Sequence, residues 1–172
     1  MIDWFGGLAQ RRAFWFALAA FALFLEGAAL YYQYVLEYLP CVVCIHIRMV
    51  VAAFAILWIV AGVLPGNRLV RRLVVTGSIG VSVIFVERSW QLLATENGWV
   101  IGSCDMTLGL PEWIAVDRWM PWLFEIHEPC GVTPYIIAKI SMAEVLMANS
   151  VLFALLFIAV ALLAWLRTPK PA

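Results

Sequence analysis

Charge is what this sequence lacks. Only 13% of its 172 residues are charged, against about 25% in ordinary soluble domains. Hydrophobic residues make up 65%, and the mean hydropathy is +0.96. Together these exclude a water-soluble globule and point to lipid. The few charges sum to zero and form no dense basic patch, so nothing suggests a nucleic-acid partner. No glycine-rich phosphate loop or dinucleotide fingerprint occurs, which removes a bound nucleotide or flavin. The serines lack an accompanying base, and His46 and His127 do not sit in a metal-ligand pattern. The length suits one compact membrane domain, residues 1–172, with no soluble domain of ordinary size beside it.

Four apolar runs are each long enough to cross a bilayer, which takes about 20 residues. They predict helices over residues 13–33, 42–64, 69–93 and 145–166. A leading signal peptide is the rival reading of the first run. That run exceeds the usual apolar core of such a peptide, and no clear cleavage site follows it. Tyr31, Tyr32, Tyr34 and Tyr38 crowd its far end, as aromatic residues do at headgroup level, and Pro40 then breaks the chain. Pro65-Gly66-Asn67 marks a turn. Gly77 and Gly80, with Ser78 and Ser82, predict a close-packed face on the third helix. The fold class is therefore an all-α membrane protein, a four-helix bundle with loops over residues 34–41 and 94–144 on one side. Within the long loop, Pro111 to His127 interleaves Trp113, Trp119 and Trp122 with charges. It reads as a short amphipathic piece on the membrane surface or as a loop packed on the helix ends. Pro121 would kink or divide any helix there.

Arg11, Arg12, Arg68, Arg71, Arg72, Arg167 and Lys170 fall on one side of this arrangement. Arg48, Arg88, Arg118 and Lys139 fall on the other. The positive-inside rule then places both termini in the cytoplasm and both loops outside. All four cysteines, Cys41, Cys44, Cys104 and Cys130, lie on the outer side, where disulfides persist.

Cys41 and Cys44 are three residues apart at the head of the second helix, and Arg48 follows one turn later. Positions i, i+3 and i+7 share a helix face. A helix start and a nearby cation both favour thiolate, the attacking species in disulfide exchange. Two other readings stand beside this redox one. The pair is half of a four-cysteine zinc site, although Cys104 and Cys130 have poor spacing for the other half, or it is a structural disulfide. Cys104 and Cys130 form either a loop staple or a second exchange pair. Arg48 is either an interfacial residue reaching for headgroups or a group that fixes a carbonyl oxygen or anion of an electron acceptor. Glu26, inside the first helix, is a proton-handling group or a packed carboxyl, with Asn149 and Ser150 as candidate partners. His46 is off the Cys44–Arg48 face.

Each turnover of a dithiol oxidase leaves two electrons. With no nucleotide fingerprint, a lipid-soluble quinone is the acceptor that needs no cofactor domain. Pro40-Cys41-x-x-Cys44-x-x-x-Arg48 between the first two helices resembles the DsbB family of disulfide-forming membrane proteins. So do Cys104-Asp105 followed by Pro111-Glu112-Trp113, then Cys130. The resemblance runs from Glu26 through the fourth helix. It implies a bacterial inner-membrane enzyme that oxidises a periplasmic DsbA-type thioredoxin-fold partner. The partner attacks Cys104 of a Cys104–Cys130 disulfide, and exchange through Cys130 and Cys41 reduces the Cys41–Cys44 pair. Electrons then pass from Cys44 to ubiquinone or menaquinone held by Arg48. Two departures stand out. Ile47 occupies a position where many members carry an acid or amide, and Glu87-Arg88-Ser89-Trp90-Gln91 stands where some carry a histidine. The competing function is a membrane scaffold or metal-handling protein with passive disulfides.

Overall fold

The computed structural model describes residues 11–64, 68–100, 107–111, 114–128, 134–137 and 139–166. Its main elements are four long helices: α1 (Arg12–Tyr34), α2 (Val42–Val63), α3 (Arg68–Glu96) and, after the long connection, α6 (Met142–Leu166). Each contains a segment apolar and long enough to cross a membrane. Between α3 and α6 lie two four-residue helices, α4 (Val116–Trp119) and α5 (Pro121–Phe124), and an antiparallel pair, β1 (Tyr135–Ile137) with β2 (Ile140–Ser141).

The helices pack in chain order, α1 on α2, α2 on α3 and α3 on α6. α2 is the centre: 56% of its apolar window is buried, against 17%, 28% and 22% in α1, α3 and α6. It packs against both α1 and α3, and its unbroken apolar run after Arg48 allows protein on several sides. α1 buries one stripe only, Trp15, Ala19, Ala22, Glu26 and Gln33, at the steps of three, four and seven that keep one helix face inward. Its other faces expose Phe16, Leu23 and Phe24, the surface expected against lipid tails.

Phe54 and Trp58 of α2 stack at 4.7 Å, and Phe85 of α3 and Phe153 and Phe157 of α6 close around them. Trp15 of α1 stacks on Phe157, which links the first and last long helices. Such contacts carry the packing where lipid offers no hydrophobic drive between helices, and each pair is worth about 0.5–1.5 kcal/mol beyond area burial. At the opposite end from the cysteines, a Cβ on Gly62 would come within 3.0 Å of the Phe16 ring. Glycine there lets α1 and α2 approach.

Two expectations need correction. A Cβ at Gly77 would meet Leu57, but one at Gly80 would meet nothing within 4 Å. The tight face of α3 is made by the expected Ser78 and Ser82, both buried, together with buried Ser89. Trp58 Nε1 donates to Ser78 Oγ at 3.2 Å, and Ser82 Oγ returns to the Ser78 carbonyl. The last helix also starts before the expected residue 145. Ser141 Oγ accepts from the Glu144 amide, and the Glu144 carboxylate accepts from the Ser141 amide at 2.9 Å. This is a capping box, and it sets the helix start at Met142. Ser141 Oγ also bonds Glu96 at 3.0 Å, joining the end of α3 to the start of α6.

Candidate functional site

The site is assembled at the head of α2. Pro40 cannot join a preceding helix, and Cys41 is extended (φ −87°, ψ 170°) as the N-cap of α2. Its carbonyl accepts the first helical bond, from the Ile45 amide at 3.0 Å. The Cys41 side chain makes no capping hydrogen bond, and the positive end of the helix dipole acts on the first turn. The sulfurs of Cys41 and Cys44 are 3.0 Å apart, with Cys41 donating to Cys44. Cys41 is buried and Cys44 half-buried. The pair is within about 1 Å of disulfide bonding distance, roughly 2.05 Å.

Arg48 lies one turn deeper and is only 7% exposed, so it is not an interfacial residue spread into headgroups. Its guanidinium donates to Gln33 Oε1 at 2.5 Å, to the Ala29 carbonyl at 3.1 Å and to the Leu123 carbonyl at 3.1 Å. Three of its five donors thus tie α1 and α5 to α2. Tyr34 adds a second tie, its hydroxyl donating to the Trp122 carbonyl at 2.7 Å. Phe124 buries its ring beneath this segment, while Trp119 and Trp122 stay exposed. Pro121 is the first residue of α5, so it divides the amphipathic stretch into two turns, as its ring requires.

The chain then runs past the cysteines. The His127 amide donates to the Pro40 carbonyl at 3.0 Å, and Glu128 pairs with Cys41 in a parallel bridge. Cys104 and Cys130 themselves, with Glu112 and Trp113, lie outside the described residues. The described residues contain no cluster of three His, Cys, Asp or Glu able to hold a metal.

The opposite face of α2 is different. Val42, His46, Met49 and Ala53 line a cavity of about 540 Å³ with Val81, Ile84, Arg88 and Gln91 of α3, and residues 107–110 form another wall. His46 Nε2 contacts the Leu108 carbonyl at 2.9 Å; a carbonyl only accepts, so this nitrogen donates. Arg88, Gln91 and Glu87 bond among themselves. The cavity is of ligand size, but Cys44 and Arg48 project from the other side of the helix.

Glu26 is 9% exposed, and neither carboxylate oxygen has a hydrogen-bond partner among the described residues. Asn149 and Ser150 are not its partners. They bond the Val145 and Met147 carbonyls of their own helix. Gln33 and Tyr34 were not singled out for the site from sequence. Gln33 was findable, being seven residues from Glu26 on one face of an apolar helix. Tyr34 was indistinguishable from its neighbouring tyrosines.

The chain was compared with known proteins. The family model described as disulfide bond formation protein DsbB matches residues 11–160. Disulfide bond formation protein B 2 of Pseudomonas aeruginosa is 34% identical over 161 residues, covering 92% of this chain and 95% of the relative. Disulfide bond formation protein B of Aeromonas hydrophila is 30% identical over 167 residues, covering 94% of each. That of Psychromonas ingrahamii is 29% identical over 168 residues, covering 95% and 89%. With four helices of spanning length and a thiol pair at the head of the central one, the chain belongs to the DsbB family, the multi-pass membrane oxidoreductases of disulfide bond formation.

Proposed function

We propose that this protein oxidises a DsbA-type thioredoxin-fold protein on the outer face of the bacterial inner membrane and delivers the electrons to a membrane quinone, ubiquinone or menaquinone. The observation that carries the reading is the Cys41–Cys44 pair at a helix start, one turn above buried Arg48. The arginine and lysine distribution supports cytoplasmic termini and outward cysteines.

The partner's thiolate attacks Cys104 of a Cys104–Cys130 disulfide, forming a mixed disulfide and releasing Cys130. The partner's second thiolate then breaks the mixed disulfide and leaves the partner oxidised. Cys130 attacks Cys41 of a Cys41–Cys44 disulfide and releases Cys44; Cys104 then attacks Cys130 and releases Cys41, which re-forms Cys104–Cys130 and leaves the electron pair on Cys41 and Cys44. The pairing of Glu128 with Cys41 supports this order, because Cys130 is two residues on and two residues span at most about 7 Å.

A quinone fits beside Cys44. Arg48 is a donor-only group held by neutral acceptors, Gln33 Oε1 and two carbonyls, and a quinone oxygen is another neutral acceptor. Arg48 and Gln33 would hold it, and the quinone would accept two electrons and two protons. Arg48 also favours the Cys44 thiolate by charge.

The test is purified protein in lipid nanodiscs with a reduced thioredoxin-fold dithiol and a short-chain ubiquinone, following quinone absorbance. Wild type should consume quinone with the dithiol, and Cys44→Ser should fall to background. With the second cysteine of the partner changed to serine, a partner complex linked through Cys104 should accumulate. Absence of quinone consumption by wild type sinks the reading, and one bound zinc per chain would favour a metal-handling protein.

A further inference from the structure

Arg48 is a permanent cation in an almost fully buried position, and its hydrogen bonds to described residues all go to neutral acceptors. A buried charge needs a counter-charge. Two groups can supply one. Cys44 sits one turn away on α2. Glu26 lies on the α1 stripe that also carries Ala29 and Gln33, the α1 groups that bond the guanidinium. Both Glu26 and Cys44 lie near enough to act electrostatically on Arg48, as do Tyr34 of α1 and Cys41. For Glu26 itself, the neighbouring charge is Arg48.

Glu26 has a further property. Its two oxygens are buried and hydrogen-bonded to nothing among the described residues. A carboxyl retained for packing would be expected to satisfy them. One that changes its proton must not be locked into a fixed network.

We propose that Glu26 and Cys44 alternate as the counter-charge of Arg48, so that Glu26 exchanges a proton each time the Cys41–Cys44 pair changes redox state. The acceptor in this scheme rests on the quinone reading above; the charge exchange does not. In the reduced pair, Cys44 is the thiolate and Glu26 is protonated. On oxidation, the Cys41–Cys44 bond forms and the Cys41 S–H and Glu26 O–H bonds break. The two sulfurs release two electrons. Cys41 and Glu26 release one proton each, which matches the two electrons and two protons of quinol. The charge on the thiol pair and Glu26 together is one negative before and after, first on sulfur and then on carboxylate. Arg48 is therefore compensated in both states, and the apolar layer never holds a net charge of either sign around it.

The experiment is an infrared redox-difference spectrum of the full-length protein in nanodiscs, reduced with dithiothreitol and reoxidised either with a short-chain ubiquinone or with oxidised dithiothreitol. Reduction should add a protonated-carboxyl band that is absent in Glu26→Gln and shifted in Glu26→Asp. In a Cys41→Ser background, the alkylation midpoint of Cys44 should move down by about one pH unit on Glu26→Gln, because a competing negative charge is removed. A carboxyl band unchanged in Glu26→Gln, no band at all, or an unmoved midpoint each overturns the proposal. A Glu26 band that appears with oxidised dithiothreitol in a protein that reduces no quinone supports the exchange and overturns only the acceptor.

Discussion

The two sides of α2 near its start share one backbone and hold different chemistry. The Cys44–Arg48 side carries the sulfurs and the charge: the guanidinium is bonded to α1 and α5, and residues 127–128 run alongside Pro40 and Cys41. The His46 side is open, with a cavity of about 540 Å³ and one imidazole contact to residue 108. That cavity lies across the helix from the thiols. A helix about 10 Å across separates its contents from Cys44. On the proposed route, reactivity follows the position of sulfur and charge and does not use this cavity.

Three substitutions probe this asymmetry. Arg48→Ala should have the largest effect. It removes the cation beside Cys44 and leaves the Gln33, Ala29 and Leu123 acceptors unpaired, so apparent quinone affinity should fall tenfold or more, about 1.4 kcal/mol, in steady-state kinetics at limiting quinone. Unchanged kinetics would reduce Arg48 to a packing residue. His46→Ala should cost about 1 kcal/mol of stability through its lost bond to Leu108, seen as a lower thermal midpoint, with turnover within about twofold of wild type. Should it slow quinone reduction as much as Arg48→Ala, the two sides would be equivalent and the comparison would fail. Tyr34→Phe should do least. It removes one exposed bond to the Trp122 carbonyl, about 0.5 kcal/mol, and should raise the rate of proteolysis near residues 119–124 while Arg48 still holds Leu123.

Much of this was legible in the sequence because lipid imposes long apolar runs and makes each interruption informative. The bundle followed from the four runs. The start of α2 beside the cysteines followed from Pro40 before them and the long apolar run after Arg48. The start of α6 was also readable. Ser141-Met142-Ala143-Glu144 is a capping-box pattern, and charge counting alone passed over it in favour of the first fully apolar residue. The partners of Arg48 were a different matter. Two of them, Ala29 and Leu123, are backbone carbonyls, which every residue type presents, so no side-chain pattern announces them. The close-packed face of α3 was half legible. Small residues mark where helices approach, but Gly80 faces open space while Ser78 and Ser82 do the packing. Which small residue points inward depends on helix rotation, and that is fixed by partners far away in the chain.

The bridge between Glu128 and Cys41 has a kinetic consequence for the exchange proposed above. A thiol tethered two residues beyond a pinned residue does not find its target by diffusion through solution. Its effective concentration at Cys41 is set by tether length, at roughly millimolar or higher for short tethers. Exchange within the chain is then first order and independent of how much protein the membrane holds. On the proposed route it would outpace dilute outside thiols competing for the Cys41 sulfur, and so commit the electrons inward once the partner has left.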